Sequence, residues 1–503
     1  MSTNLRDRTA SLEMTPDAFR EAGHRLVDEI AAFLESLPNR PVTPAETPRA
    51  VRDLLPDALP DEGVDPTSLL AETTPIVLDH SLLNGHPRFF GYIWASAAPI
   101  GALGDLLAAA VNPNVGGWEL SPVASEMEAQ CVRWVSDLLS LPGETEGLLV
   151  SGGNMANFVC FLAARRSKGG ESLRKEGLRR DTGRLLIYAS TETHTWIQKA
   201  ADLFGHGTES IRWIPVGSDL VMDVDALLRQ VEADRASGDT PFLLVGNAGT
   251  VSTGTVDPLR RLAAIAREHD LWFHADGAYG ALALATDEAP AELAGLREAD
   301  SVATDPHKWL YAPLEAGCAL VRHKGALRDT FSYTPPYYRF DGQEEDPPTN
   351  YLELGPQNSR GFRALKVWLG LRQAGRRGYR QMIGDDIRLA RELHRRVTAE
   401  PGLEAMVSAL SISTFRYVPE DLTPGGGAVD AYLNELNEDL LHRLNASGEA
   451  YLSNAVINGR FALRACIVNF RTTLADIEAI PEIIVRHGAE ADRALRSTGR
   501  HAV

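Results

Sequence analysis

From about residue 100 onward, short apolar segments alternate with longer amphipathic ones. The segments GLLVS, RLLIYAS, FLLVGNAG and LWFHAD have the composition of buried strands, and stretches such as ANFVCFLAARRS and PLRRLAAIAREHD have the spacing of helices. Alternation of this kind predicts an α/β fold, with a mostly parallel sheet covered by helices. Because ligands bind beyond the carboxyl ends of the strands in such sheets, we expect the functional residues there.

The charge of the chain limits its partners. The 68 acidic and 50 basic residues give a formal net charge of -18 at pH 7. This charge repels phosphate backbones and anionic lipid, so we expect neither nucleic acid nor a membrane as a partner. The polar segment MSTNLRDRTASLEM lacks the apolar region of a signal peptide, and no apolar run is long enough to span a bilayer. These features predict a cytoplasmic protein that acts on small molecules.

The cysteines give no sign of a disulfide or a metal site. Four are present, far apart in apolar surroundings, at Cys131, Cys160, Cys318 and Cys466. No two of them have the spacing of a zinc site or of a redox pair. We interpret them as reduced core residues, and we expect no metal.

The N-terminal part of the chain resembles an arm rather than a domain. A capping Thr15, followed by Pro16 and Asp17, predicts the start of an amphipathic helix. Residues 38–66 are then rich in proline and acids, which is typical of an extended connection. We therefore expect residues 1–99 to form a helical arm that packs against another surface.

The rest of the chain divides into two predicted domains. Residues 100–385 carry the alternating pattern and form the large domain. Within it, residues 331–360 are rich in proline and have little periodic pattern, as in a mobile lid over a site or a disordered segment. Residues 386–503 have a different pattern of helices and strands, which predicts a small α+β domain at the C-terminus.

Several predicted strand ends carry residues of special character. SGGNMAN, at residues 151–157, places Gly153 and Asn154 between a strand and a helix, where free N–H groups suit a phosphate. A tight turn without a ligand has the same sequence. His194 follows another strand and starts a helix, where an imidazole can stack on a flat ring, relay a proton or serve only the structure.

Two further strand ends carry an acid and a hydroxyl. Asp276 follows an apolar strand directly, and Ala278 leaves space beside it. A buried carboxylate needs a cationic partner, because its burial is otherwise costly. Thr250 ends a neighbouring strand and offers a hydroxyl that could hold this acid, although a plain turn would carry the same residue.

Lys308 completes the pattern. It follows an Asp-Pro turn in SVATDPHKWLYAPLEAG and lies among aromatic and small residues, although a surface lysine is the ordinary alternative. A phosphate-binding turn, an imidazole, a buried acid and a lysine that can form a Schiff base are together what pyridoxal phosphate requires. The sequence therefore predicts this cofactor.

These residues resemble the group II pyridoxal-phosphate amino-acid decarboxylases, which include aromatic L-amino-acid, histidine and glutamate decarboxylases. The resemblance covers nearly the whole chain. Its most specific motif is DPHKW at residues 305–309, accompanied in the same order by HPRFFGYI, SPVASEMEA, SGGNMANF, THTWIQKA, HADGAYG and FRALKVW.

The resemblance implies a fold and a role for each matched residue. The fold would be type I, as in aspartate aminotransferase, in an obligate homodimer with active sites at the subunit interface. Lys308 would bond to the cofactor, Asp276 would pair with its ring nitrogen, and His194 and Ala278 would pack on the two faces of the ring. Thr250 would help to hold Asp276. The phosphate would be contacted or approached by Gly153, Asn154, Asp305 and His307.

The resemblance also implies the reaction. The amino acid would displace Lys308, carbon dioxide would leave, and a tyrosine of the lid would return a proton to the carbanion. Tyr337 in TPPYYRF stands at the matching position, although it could also be an ordinary loop residue. A phenylalanine there would instead indicate an aldehyde synthase. Tyrosine therefore favours simple decarboxylation to an amine.

The substrate pocket is the part that departs most from the animal enzymes specific for aromatic substrates. Ungapped alignment of HPRFFGYIWASAAPIG assigns substrate contacts to Tyr92, Trp94 and Ala95, and Asn114 is assigned a further one. Tyr92 and Trp94 could flank a flat side chain, which makes an aromatic L-amino acid the leading substrate class. Alternatives are an aldehyde synthase, a decarboxylase of an aliphatic, acidic or modified amino acid, and a dimeric scaffold without catalysis.

Overall fold

A seven-stranded sheet forms the centre of the molecule in the computed structural model, which describes residues 10–178, 183–333 and 348–497. Its strands are β1 (Glu146–Val150), β2 (Leu185–Ser190), β3 (Ile211–Ile214), β4 (Thr240–Asn247), β5 (Trp272–Asp276), β6 (Ser301–Thr304) and β7 (Gly317–Val321). Their order in the sheet is β1-β7-β6-β5-β4-β2-β3. The five strands from β6 to β3 are parallel, whereas β7 runs antiparallel to both of its neighbours. The predicted mostly parallel sheet is confirmed.

Helices cover both faces of this sheet. Among the described residues, the α-helices are α1 (Pro16–Ser36), α2 (Pro48–Arg52), α3 (Pro66–Asp79), α4 (Pro99–Val111), α5 (Pro122–Leu138), α6 (Gly153–Glu176), α7 (Trp196–Leu203), α8 (Val224–Ala236), α9 (Leu259–Glu268), α10 (Ala326–Phe331), α11 (Ala364–Ala399), α12 (Gly427–Ser447) and α13 (Leu474–Ser497).

Two apolar cores lie on opposite faces of the sheet. On one face, α6 and α7 contribute fully buried side chains such as Phe161 and Ile197. On the other face, α5, α8 and α9 contribute Val135, Leu227 and Leu262. Successive residues of β1 belong to different cores, as expected for a strand that is buried on both sides. The same burial accounts for the continuous apolar runs in the sequence.

The N-terminal arm begins as the sequence predicts. The Thr15 hydroxyl accepts a hydrogen bond from the backbone N–H of Ala18 at 3.2 Å, and α1 starts with Pro16 in its first turn. This helix packs against α3. Within the described residues, α1 buries only Ala22, while Phe19 on its apolar side is 57% exposed. The arm thus presents apolar surface outward.

The C-terminal part contains a second sheet. Strands β8 (Leu403–Ala409), β9 (Ile412–Tyr417), β10 (Ser453–Ile457) and β11 (Arg460–Cys466) form an antiparallel sheet in the order β10-β11-β9-β8. The helices α12 and α13 pack with it. The predicted domain boundary after residue 385 falls inside α11, which packs on α4 and α5 as well as on β8 and β9, and has a non-helical residue at Gly375.

Three other predictions concern single features. All four cysteines are buried and free, in agreement with their predicted place in the core. Among the described parts of the chain, we find no helix whose length and apolarity would suffice to cross a membrane. In the predicted lid, residues 334–347 lie outside the described residues, and Tyr337 is among them.

Candidate active site

A cavity of about 210 Å³ opens at the carboxyl ends of the parallel strands. Its walls come from the start of α6, the turn before α7, and the segments that follow β4, β5 and β6. Because parallel strands end at the same edge of a sheet, residues far apart in sequence meet there. The predicted residues among those that line the cavity are Gly153, Asn154, His194, Thr250, Asp276, Ala278, Asp305, His307 and Lys308.

Lys308 lies in a short turn after β6 beside two other ionisable groups. Its Nζ is 3.2 Å from Oδ2 of Asp305, and the Lys308 side chain is 18% exposed. Nε2 of His307 lies 3.7 Å from the same carboxylate oxygen, and its Nδ1 accepts a hydrogen bond from the Ala316 N–H at 3.2 Å. Burial lowers the pKa of His307, which favours the neutral imidazole.

Asp386 holds the turn that carries Lys308. Trp309 Nε1 and the Tyr311 hydroxyl donate to Oδ2 of Asp386 at 3.0 and 2.7 Å. Tyr279, which lines the cavity, stacks on Trp309 with 4.8 Å between ring centroids. Burial raises the pKa of Asp386 to about 7. The aromatic residues around Lys308 therefore form a rigid support that fixes its backbone.

Asp276 ends β5 and points into the cavity as a nearly buried carboxylate. Its Oδ2 accepts a hydrogen bond from Trp196 Nε1 at 2.7 Å, and Oδ1 accepts one from the Ala278 N–H at 3.2 Å. The Thr250 hydroxyl instead shares hydrogen bonds with Thr253 and Thr255, each at 3.0 Å. Within the described parts of the chain, the side chain that donates a hydrogen bond to Asp276 is that of Trp196, and the expected support from Thr250 stays a prediction.

His194 stands at the entrance of the cavity, just before α7. Its Nδ1 accepts a hydrogen bond from the backbone N–H of Trp196 at 3.2 Å. Burial is the largest influence on its pKa and lowers it, with nearby Lys308 acting in the same direction. A neutral imidazole whose Nδ1 accepts carries its proton on Nε2. His194 can therefore offer a flat ring and one N–H donor to a ligand.

The start of α6 has the shape of a phosphate site. A Cβ atom on Gly153 would lie 2.7 Å from Asp305 Oδ2 and 3.2 Å from the Ala278 Cβ, so only glycine leaves this space open. The preceding Gly152 has φ of 123°, a conformation that favours glycine. The first N–H groups of this long helix face the same region and attract anions. These residues fit the phosphate of pyridoxal phosphate, and Asp276 and Lys308 fit its ring nitrogen and its aldehyde.

The predicted substrate residues lie apart from this group. The residues that line the cavity include Ile93, whereas Tyr92, Trp94, Ala95 and Asn114 are not among them. Tyr92 has φ of 54°, in the left-handed region, and the centre of its ring lies 6.3 Å from that of the Tyr451 ring.

The remaining three predicted substrate residues have structural contacts. Trp94 packs edge to face against Phe89, and the Ala95 carbonyl accepts a hydrogen bond from Asn84 Nδ2. Asn114 Oδ1 accepts hydrogen bonds from the backbone N–H groups of Gly116 and Arg360. The substrate contacts of Tyr92, Trp94, Ala95 and Asn114 stay predictions.

Sequence reasoning missed several residues of the site. Trp196 was assigned no role from the sequence, although its indole N–H reaches Asp276. Asn247, the last residue of β4, and Tyr279, which follows β5, also line the cavity. Arg464 of β11 is 3% exposed and donates a hydrogen bond to the carbonyl of Val251, another residue of the wall. Only the position of Asn247 at a strand end could have indicated its place.

Comparisons with known proteins agree with this site. A family model described as the pyridoxal-dependent decarboxylase conserved domain matches residues 48–417. The chain is 32% identical over 468 residues to the aromatic-L-amino-acid decarboxylase of Bacillus atrophaeus, covering 93% of this chain and 95% of that protein. It is 29% identical over 464 residues to a phenylacetaldehyde synthase of a Rosa hybrid cultivar, covering 90% of each. The crystal structure of Oryza sativa TDC with PLP and tryptamine has a TM-score of 0.87 at 28% identity, covering 96% of this chain and 99% of that one.

Fold and site together define a pyridoxal-phosphate enzyme of fold type I. Within this class, the chain belongs to the pyridoxal-dependent decarboxylase family, and it is a carboxy-lyase that acts on an amino acid. The predictions of family, fold, enzyme class and cofactor are thereby confirmed.

Proposed function

We propose that this decarboxylase converts an aromatic L-amino acid to the corresponding amine and carbon dioxide. The main observation in support of this proposal is that Lys308, Asp276 and His194 line one cavity at the edge of the sheet. The substrate class is supported by the relative from Bacillus atrophaeus, an aromatic-L-amino-acid decarboxylase, and by the rice structure with tryptamine.

Each of these three side chains has a task that its surroundings favour. When bound, pyridoxal phosphate supplies a protonated ring that accepts the electron pair released with the carboxylate. Lys308 offers the amine for covalent attachment of the cofactor, from a turn whose backbone is fixed. Asp276 accepts hydrogen bonds from Trp196 and Ala278 at its two oxygens, which fix the carboxylate in the cavity, where it can pair with a proton on the ring nitrogen. His194, which lines the same cavity, would pack on one face of the ring.

The pocket around the substrate side chain is inferred from its walls. Ile93 gives the cavity an apolar wall, and Tyr92 and Trp94 flank it in the chain. The rings of Phe89, Trp94, Tyr92 and Tyr451 form one aromatic cluster, and two of its members are the chain neighbours of Ile93. An apolar wall beside such a cluster suits a flat side chain better than a charged one.

Tyr337 is our candidate for the group that returns a proton to the substrate carbon, and it lies outside the described residues. The product distinguishes two functions within the family. Return of a proton gives an amine, whereas the similarity to a phenylacetaldehyde synthase raises an aldehyde as the second candidate product. A tyrosine at position 337 favours the amine.

We further infer that the enzyme is a homodimer with its active sites at the subunit interface. One side of α4 packs on α11, and the other presents four apolar side chains that are each more than half exposed: Leu103, Leu106, Leu107 and Val111. Their spacing forms one continuous stripe, and a stripe of this kind on a helix usually lies against a partner. A cytoplasmic location stays a prediction.

Sedimentation tests the dimer. We expect a dimer for the wild type and a monomer for Leu106→Asp, because the variant places a charge in the middle of the stripe. Leu203→Asp changes a leucine on α7 that is also more than half exposed and should leave the mass unchanged. A dimeric Leu106→Asp variant would contradict this interface.

The proposed reaction is tested with a panel of the twenty L-amino acids. We expect carbon dioxide and amine from one or more aromatic substrates, and neither product from Lys308→Ala. The variant Lys324→Ala, which changes an exposed lysine, serves as the control and should keep full activity. Amine release from aliphatic or acidic substrates alone would refute the substrate class.

A further inference from the structure

Asp305 is a buried carboxylate between Lys308 and the start of α6. Its side chain is 3% exposed, and Oδ2 lies 3.2 Å from Lys308 Nζ. The other oxygen, Oδ1, is also buried and has no hydrogen-bond partner among the described residues. Burial of a carboxylate with one unpaired oxygen is unfavourable. A buried carboxylate oxygen without a partner therefore suggests that Asp305 has a function in the site.

A phosphate bound at the start of α6 would make the ionised form of Asp305 still less favourable. A Cβ on Gly153 would lie 2.7 Å from Oδ2, so the carboxylate borders the first turn of α6 directly. A phosphate held by that turn would bring a second anion next to Asp305. At the same time Lys308, the cation that balances the carboxylate, must become a neutral amine before it can attack an aldehyde. An ionised Asp305 would then face the phosphate without its counterion.

We propose that Asp305 accepts the proton that Lys308 loses and, as a carboxylic acid, donates a hydrogen bond to the bound phosphate. This inference rests on the proposed function, because it assumes that pyridoxal phosphate binds at Lys308. It makes Asp305 the base that prepares the lysine, in addition to its predicted place beside the phosphate.

The step balances in atoms and charge. One Nζ–H bond of the Lys308 ammonium breaks, and its proton forms an O–H bond at Asp305 Oδ2. The freed electron pair of Nζ forms a bond to the aldehyde carbon, and the two remaining protons of Nζ leave with the aldehyde oxygen as water. The pair of side chains has no net charge before or after the step, so no proton passes to the solvent.

Other ionisable groups near Asp305 are less suited to this task. His307 accepts a hydrogen bond at Nδ1, and its Nε2 is 3.7 Å from Asp305. The charge of Asp305 acts to raise the pKa of His194 and that of the buried Cys318 thiol. Asp276 already accepts two hydrogen bonds from other residues. The geometry thus leaves Asp305 as the carboxylate in contact with Lys308 Nζ.

The test counts the protons that pyridoxal phosphate binding releases at pH 7, by calorimetry in buffers of different ionisation enthalpy. Asp305→Asn keeps the shape of the side chain but cannot take up a proton. We expect the variant to release about one proton more than the wild type, because protonation changes of the cofactor itself are common to both. Equal proton counts in the two proteins would overturn the proposal.

A matched control comes from a second Asp-Lys pair. Asp270 lies 2.6 Å from Lys168 on the outside of the molecule, and its side chain is 90% exposed. Asp270→Asn should release as many protons as the wild type. We also expect cofactor attachment, followed by stopped-flow absorbance, to be about 100-fold slower in Asp305→Asn, the lower range for loss of a general base. An unchanged rate would count against the proposal.

Infrared difference spectra of the wild type give a readout that needs no variant to fold. Loading with pyridoxal phosphate should produce the C=O band of a protonated carboxylic acid. A missing band in cofactor-loaded protein would refute the role of Asp305 alone. Failure of the wild type to bind the cofactor at all would instead refute the proposed function. The two failures are therefore distinguishable.

Discussion

The buried ion pair between Glu128 and Arg360 allows a quantitative test of the fold around the site. The side chains of these residues are 0% and 1% exposed, and an Nη of Arg360 donates to Glu128 Oε1. Arg360 also donates to the carbonyls of Val115 and Leu149, and its guanidinium lies 4.7 Å from the centre of the Tyr351 ring. The pair joins α5 and β1 to the segment that precedes α11.

Glu128→Gln removes the charge and little else. The Leu149 N–H donates to Glu128 Oε1 at 2.8 Å, and a glutamine oxygen can still accept that bond. The guanidinium of Arg360 would, however, stay buried without a counterion. Breaking a buried pair in this way costs about 3–5 kcal/mol, a large fraction of the roughly 5–15 kcal/mol by which native domains are stable. We expect a correspondingly lower midpoint of unfolding.

The assay is urea unfolding followed by tryptophan fluorescence, with no cofactor added to any sample. Glu126→Gln, on the same helix, is the control, because Glu126 is exposed and its glutamine can still accept from Trp118 Nε1. The control should fall within about 0.5 kcal/mol of the wild type, as most surface changes do. If Glu128→Gln unfolds at the same urea concentration as Glu126→Gln, the charge of Glu128 does not stabilise Arg360 and the reasoning is wrong.

Two further predictions concern single ionisable groups. Tyr337→Phe should shift the product from amine to aldehyde with hydrogen peroxide and ammonia, as chromatography and a peroxide assay would show; unchanged amine would rule out Tyr337 as the proton donor. Burial holds the pKa of Asp386 at about 7, above the roughly 3.9 of an unfolded aspartate, so its ionisation opposes folding. The wild type should therefore lose stability, on the order of 4 kcal/mol, as the pH rises from about 4 through 7. Asp386→Asn should not lose stability in this way when its unfolding midpoints are measured across the same pH range. If the midpoints of the two proteins change with pH in the same way, the ionisation of Asp386 does not affect stability and the prediction is wrong.

The sequence predicted the part of the site that depends on strand ends. Gly153, His194, Asp276 and Lys308 each follow a strand, and parallel strands end at one edge, so a correct reading of the strands brings these residues together. The cap at Thr15 depends only on local sequence and was predictable for the same reason. Local sequence pattern and sheet geometry were therefore sufficient to predict most of the fold.

What the sequence could not predict depends on contacts between distant elements. The hydrogen bond from Trp196 to Asp276 forms where the Trp196 ring packs edge to face against His274 of β5, and nothing near Trp196 in the chain indicates its partner. The antiparallel direction of β7 is likewise invisible in a short apolar run such as GCALV. Tyr92 has a left-handed backbone, which a gapless alignment does not reveal, and the residue of this segment that lines the cavity is its neighbour Ile93.

The most direct test of the central claim is to locate the cofactor on the chain. The protein is loaded with pyridoxal phosphate, reduced with borohydride and digested, and the peptides are identified by mass spectrometry. We predict the phosphopyridoxyl group on the peptide that contains Lys308, with no label in Lys308→Ala. Label on another lysine, or the same label in the variant, would contradict the assignment of this cavity as the active site.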